Sequence, residues 1–414
     1  MSDQEFRAVL AALGAQPPQG YDSTPPLRSV AVLGAGAVGR LLACEALAAG
    51  LEVRLHSVLG SELTELARAG AVTVRGVHLV GSYAVGEQPG DRPQILLSRS
   101  VDEAVAGVDA VLIATPSSAH ATYAGLLAGN LADGQLVVLV PGRFLGGPAF
   151  RRELASHLCT AEVTVAEVEA VPYQGVARGA TVEVHGVARS LGVSTLPVER
   201  AREVTRLLTP LLVEPRPTDG PLETAFAGVT GVLTVAPVLT NVAAVDQGGD
   251  EGVLLKELVS PALAGSLLRK LDEERREVAF RFGVRDLPST AAWLRRTYGD
   301  ADDELVDDAD LVRAIRDLEV FDDLRLRVDG GPRVIDDVPH SLVPLASAGR
   351  RAGVPTPATD TVISLASTLA GTDFAREGRS LESLGLAGPE PGELRRAIAV
   401  RGTASSHNDV WRRL

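Results

Sequence analysis

The sequence predicts a mixed α/β protein, with a doubly wound sheet in its first half and an all-helical second half. Short β-branched runs alternate with Ala/Leu-rich amphipathic stretches from residue 29 onward, the pattern of a parallel sheet with crossover helices. A proline-rich stretch at 214–221 interrupts that alternation, and strand-like runs disappear beyond it.

Residues 1–27 form an N-terminal extension, because Gln16-Pro-Pro-Gln-Gly and Ser23-Thr-Pro-Pro end a short helix and loop before the first strand. The clearest strands are 29–33, 52–55, 110–114 and 136–140, with further strands at 162–169 and 190–195. The first domain therefore spans 28–215, and a helical substrate and dimerisation domain spans 216–400, leaving a tail at 401–414. Within the second domain, 254–283 reads as one or two long helices whose charged run, 270–277, is a solvated face. Another apolar helix covers 358–369, after the break Val354-Pro-Thr-Pro357.

A chain of 414 residues, 45% apolar, can bury a large core. Its formal charge of −13 opposes general attraction to nucleic acid or to anionic membranes. Met1 to Arg7 is polar and unlike a signal peptide, and no apolar run is read as spanning a bilayer, so a cytoplasmic protein is expected. Cys44 and Cys159 lie in apolar helical settings without metal-ligand spacing, which predicts reduced, structural thiols and no metal. Lys256 and Lys270, the only lysines, lie near or within a charged helix, which sets Schiff-base chemistry aside.

The run Gly34-Ala-Gly-Ala-Val-Gly39 follows the first strand and opens a helix. Its first glycine permits the tight turn, the second lets phosphate approach the backbone, and the third lets helix and strand pack closely. The helix N-terminus then presents free N–H groups to a pyrophosphate. In this strand-turn-helix setting Gly34, Ala35, Gly36, Ala37, Val38 and Gly39 are expected to bind a dinucleotide on a Rossmann-type sheet, with Thr115 and Pro116 beside them. Ser57 occupies the end of the second strand, where an acid would bond the ribose 2′-hydroxyl of NAD. Without that acid, NADP is expected over NAD, although NAD is compatible.

Segments from about Ser29 to Leu386 resemble the opine dehydrogenase family. They are Ala114-Thr-Pro-Ser-Ser-Ala-His120, Val140-Pro-Gly-Arg-Phe-Leu-Gly-Gly147, Glu169-Ala-Val-Pro-Tyr173, Asp336-Asp-Val-Pro-His-Ser-Leu-Val-Pro344, Gly353-Val-Pro-Thr-Pro357 and 377–386. The resemblance implies reductive joining of an amino acid's amine to a 2-oxo acid, by hydride transfer to the resulting imine. It also implies small-molecule substrates and a homodimer.

The family's His-Asp acid/base pair is only half present. Asp337 matches its carboxylate, whereas the family's Asn-x-x-x-His-Pro run reads Thr230-Gly-Val-Leu-Thr234 here, and Thr234 cannot titrate near neutral pH. Pro332-Arg333 stand where the family has Arg-Tyr, so that pair is displaced unless a one-residue gap restores Arg333 to its substrate-binding role. Arg143 either clamps a carboxylate or ties its loop down, and Tyr173 is a further substrate contact. His120 lies either near the nicotinamide end of the cofactor or packed against the following helix, and His340 is an alternative proton donor. Three readings are compatible with these residues. One is an imine or carbonyl reductase that needs no histidine acid or recruits His340. The second is a 2-oxo acid or secondary-alcohol oxidoreductase on the same fold, and the third a dinucleotide-binding protein without turnover.

Overall fold

The computed structural model describes residues 26–299, 310–326, 332–388 and 390–403. Most of the extension expected at 1–27 and of the tail at 401–414 therefore lies outside the described residues.

Twelve strands form one sheet: β1 (Ser29–Leu33), β2 (Glu52–His56), β3 (Ala71–Gly76), β4 (Gly81–Gly86), β5 (Ile95–Leu97), β6 (Ala110–Ile113), β7 (Leu136–Leu139), β8 (Thr164–Val168), β9 (Tyr173–Arg178), β10 (Thr181–Val187), β11 (Gly192–Leu196) and β12 (Arg216–Pro217). Their spatial order is β12-β11-β8-β7-β6-β1-β2-β5-β4-β3-β10-β9. The central ladders from β8 through β5 are parallel, with Val32 opposite Leu55 on one side and Leu112 on the other. β5, β6 and β7 are apolar along their whole length, the pattern of strands covered on both faces, whereas β2 carries Glu52, Arg54 and His56 and β8 carries Glu167. On β1, Val30 and Val32 enter one core while Ala31 and Leu33 enter a second core on the opposite face, the period-2 alternation of a strand.

The sheet is not wholly parallel. β8 pairs antiparallel with β11, β3 with β4, and β9 with β10. The β3–β4 and β9–β10 hairpins carry exposed residues on one face, so the buried-strand pattern of the centre does not reveal them. β12 extends the sheet to Pro217, past the expected domain boundary at 215.

Among the described residues beyond β12, regular structure is helical except for a ribbon in which Val253–Leu254 pairs antiparallel with Arg325–Leu326. Pro221 opens the helix Pro221–Ala227 at its first turn, where a missing N–H costs nothing. Of the one or two long helices expected at 254–283, the structure has a short one at Leu255–Leu258 and a long contiguous stretch from Pro261 to Arg281, widened by a π-helical turn at Ala264–Leu268. Nor is its charged run wholly solvated. Arg275 is buried and donates to Phe226 O at 2.6 Å, and the Glu274 carboxylate accepts the backbone N–H groups of Ala358 and Thr359. The stretch Pro221–Thr240 is long and apolar enough to cross a membrane, contrary to the reading that no run is, but it is 83% buried inside the protein.

Two further π-helical turns, Gly231–Val235 and Val338–Leu342, face each other. Each lies by a proline, Pro237 or Pro339, whose missing N–H breaks the i→i−4 ladder and favours a widened turn. The turns approach so closely that a Cβ on Gly231 would collide with the Leu342 side chain. This contact fixes where Thr234 and Asp337 sit.

Candidate active site

The fingerprint forms where β1 lies between β2 and β6, the position at which the chain's winding reverses and a crevice opens beyond the strand ends. Its three glycines have separable roles. Gly34 has φ +110°, and a Cβ there would lie 2.5 Å from Ala114 O; a Cβ on Gly39 would collide with Gly34 O. Gly36 is different: a Cβ there would meet nothing within 4 Å, because this glycine borders open space. That opening, at the N-terminus of the helix Ala37–Ala48, fits the pyrophosphate of a dinucleotide.

A cavity of about 350 Å³ joins this loop to the helical region. Its lining includes Gly36, Ala37, Val38, Thr115 and Pro116 from the sheet side, the polar residues Arg143, Thr230, Thr234 and Asp336, and the largely apolar group Trp293, Tyr298, Phe321 and Leu324. Gly34, Ala35 and Gly39 shape the loop from behind. At the end of β2, the Ser57 hydroxyl donates to Glu62 Oε2 at 2.6 Å, so it is not open as a donor toward a 2′-phosphate.

Arg143 is carried on the loop after β7, in a left-handed conformation with φ 61° that a non-glycine residue adopts at a cost. The loop is held from beneath by Glu167, whose buried carboxylate accepts Gly147 N–H at 2.5 Å and the Thr224 hydroxyl at 2.6 Å. From the helical side, Phe144 N–H donates to His340 O at 3.2 Å, and Arg379 donates to Phe144 O at 2.7 Å. Burial lowers Arg379 to a pKa of about 10, against the opposing pull of Glu167 and Asp336. With this support, Arg143 reaches Asp337 Oδ1 at 2.8 Å and donates to Thr230 Oγ1 at 2.6 Å. Thr234 donates to Thr230 O at 2.8 Å and lies 3.4 Å from Asp337 Oδ2.

The helical region matches the model of the NAD/NADP octopine/nopaline dehydrogenase alpha-helical domain over residues 217–370. Across the whole chain, an opine dehydrogenase from Arthrobacter sp. (strain 1C) is 30% identical over 373 residues, covering 90% of this chain and 99% of that protein. The chain belongs to the opine dehydrogenase family. It is an NAD(P)-dependent oxidoreductase of the class acting on CH–NH groups. Solved structures agree in fold. Octopine dehydrogenase in complex with NADH and agmatine superposes with TM-score 0.67 at 20% identity, covering 90% of this chain and 98% of that one. NADP+-bound yersinopine dehydrogenase does so with TM-score 0.65 at 15% identity, covering 94% and 99%. A ketopantoate reductase from Ralstonia eutropha JMP134 shares the fold more loosely, with TM-score 0.54 at 19% identity over 83% of this chain and 98% of that one.

Within this opine dehydrogenase fold, the expected site residues do not all converge on the cavity. Asp337 is fully buried behind Arg143, and the neighbouring carboxylate, Asp336, lines the cavity instead. Nothing in the Asp336-Asp337 doublet itself distinguishes the carboxylate that lines the cavity from the buried one. His340 Nδ1 lies 2.8 Å from Asp336 O, and its ring is not part of the cavity lining. Burial, together with Arg379 and Arg143, lowers its pKa, while Asp336 pulls the other way. His120 is buried edge-on to Phe150 at the start of the helix His120–Leu127, and it is not part of the cavity lining. Burial lowers its pKa to about 3, with Arg379 adding to the effect.

Tyr173 lines the cavity, but its hydroxyl lies between two acceptors, Leu211 O at 3.1 Å and Glu45 Oε2 at 3.2 Å, which claim its one proton and leave no donor for a substrate. Arg333 falls in the helix Pro332–Asp337, and its side chain lies outside the described residues. Glu169 and Trp293, absent from the sequence-derived set, form a clamp. The buried Glu169 carboxylate accepts Trp293 Nε1 at 3.2 Å, Arg296 at 3.1 Å and Arg216 at 2.9 Å, tying the end of β8 to the helix Thr290–Tyr298.

Proposed function

We propose that this protein reduces the imine formed between the amine of an apolar amino acid and a 2-oxo acid. The observation that carries this reading is the common cavity: the phosphate-binding loop, Arg143, Asp336 and an aromatic wall face one space. Gly36 and the adjoining helix N-terminus would hold the dinucleotide, which when bound supplies the hydride.

The charged residues lining the cavity are Arg143, Glu169 and Asp336. Glu169 is committed to three donors; Arg143, already held by Asp337 and Thr230, would add its charge toward the carboxylate of the 2-oxo acid, and Asp336, whose Oδ1 accepts Ser118 N–H, would face the cationic nitrogen through Oδ2. An imine nitrogen that arrives protonated is already activated. Asp336 then holds charge at that nitrogen, and the residues act by positioning more than by donating a proton, which suits a site with Thr234 in place of a histidine. Trp293, Tyr298, Phe321 and Leu324 give the cavity a largely apolar wall, which favours an apolar side chain on the amine donor.

The test is oxidation of NADH and NADPH across a panel of amino acids paired with 2-oxo acids. Consumption that requires both organic substrates, and is fastest with apolar amino acids, is expected. Full-rate consumption with a 2-oxo acid alone would overturn the imine reading.

A further inference from the structure

We infer that Glu62, held in place by Ser57, reads the adenosine ribose and makes the site selective for NADH over NADPH. The sequence places no acid at the end of β2, and the fold returns one from the next helix. Gly34 N–H donates to His56 O at 2.7 Å, so the end of β2 abuts the first turn of the phosphate loop. The next residue, Ser57, is buried, and its hydroxyl accepts Leu59 N–H at 3.1 Å while donating to Glu62 Oε2 at 2.6 Å. Glu62 stands in the first turn of the helix Gly60–Ala69 and is only half-buried.

With Oε2 oriented by Ser57, Oε1 is left to accept a bond from a ribose hydroxyl. An ionised carboxylate only accepts, so it suits the 2′-hydroxyl of NADH, which can donate. A 2′-phosphate only accepts and carries a charge of about −2, so the same carboxylate repels it. The arginine closest to the loop in sequence does not relieve that repulsion. Arg40 is 3% exposed, donates through Nε to Ala35 O at 2.6 Å and through Nη1 to Gly179 O, and lies 3.8 Å from Glu65. Its buried guanidinium is engaged by these two carbonyls and interacts electrostatically with Glu62 and Glu65, so it is not free to meet a 2′-phosphate.

This inference rests on the assignment of a dinucleotide to the glycine loop, not on the imine chemistry, and it is tested by binding without turnover. Dissociation constants for NADH and NADPH would be measured by calorimetry on the full chain, on Glu62→Gln and on Ser57→Ala. Wild type is expected to bind NADH at least about tenfold more tightly than NADPH, the scale of one charge-assisted hydrogen bond. Glu62→Gln should lose most of that ratio, mainly by gaining affinity for NADPH, and Ser57→Ala should lose part of it. Equal or tighter binding of NADPH by wild type, or an unchanged ratio in Glu62→Gln, would overturn the inference. Failure of wild type to bind either dinucleotide would overturn it together with the cofactor assignment.

Discussion

Arg143 and Asp337, 194 positions apart in sequence, meet at 2.8 Å between the sheet and the helical region. Asp337 is fully buried, so the guanidinium supplies the compensating charge that an imidazolium would otherwise provide.

Thr234→His tests that exchange. The new imidazole would stand beside Asp337, where Thr234 Oγ1 now lies 3.4 Å from Oδ2, and would compete with Arg143 for the carboxylate. A gain of activity with a new ionisation near neutral pH in the kcat profile is expected. No new ionisation, with activity unchanged or lost, would mean that the pocket no longer accommodates the pair.

Asp337→Asn should be costly to the fold as well as to turnover. Arg143 would lose its charged partner in a largely buried setting, at about 3 kcal/mol or more, and the loop carrying it would loosen. A fall in Tm accompanied by a drop in kcat/KM is expected from thermal denaturation and steady-state kinetics. Loss of activity at unchanged Tm would show that the pair does not support the loop.

The glycines of the phosphate loop should separate by phenotype. Gly36→Val places a side chain in the open space of the phosphate, so cofactor affinity should fall by at least about tenfold with little change in Tm. Gly39→Val drives its side chain into Gly34 O, so the fold itself should suffer. Calorimetry and circular dichroism on the two variants would check the contrast.

His120 gives a pH signature. Its folded pKa of about 3 lies below the unfolded value, so between roughly pH 6.5 and 3 the unfolded chain binds the extra proton and stability falls as pH falls. His120→Phe keeps the ring and removes that linkage, and neither imidazole nitrogen has a hydrogen-bond partner among the described residues to lose. The variant should therefore match or exceed wild-type Tm at pH 7 and gain on it progressively toward pH 5. Loss of turnover at full stability would instead make His120 part of the chemistry.

On the apolar wall of the cavity, Leu324→Asp should raise KM for apolar amino acids by roughly tenfold or more, the scale of burying one leucine side chain. Cationic amine donors should become relatively better substrates. Unchanged preference across a panel of amine donors would place the side-chain pocket elsewhere.

Sequence alone determined the strand-turn-helix that makes the phosphate loop, the central parallel strands, the proline-rich exit to a helical second half and the membership of a dehydrogenase family. These are written in short-range spacing: glycines two and three residues apart, apolar runs of strand length, prolines at helix starts. Tertiary structure decided which side chains do the work. Asp336 rather than Asp337 faces the cavity because a π-helical turn sets the rotation of the helix before it. Glu169 is spent on a clamp because Trp293 and Arg296 arrive from a helix more than 120 positions away. Glu62 meets the Ser57 hydroxyl because the chain turns back after β2. Residue spacing encodes local dihedrals and periodicity, whereas the partner of a buried charge is set by how separate elements pack, and no local pattern records that.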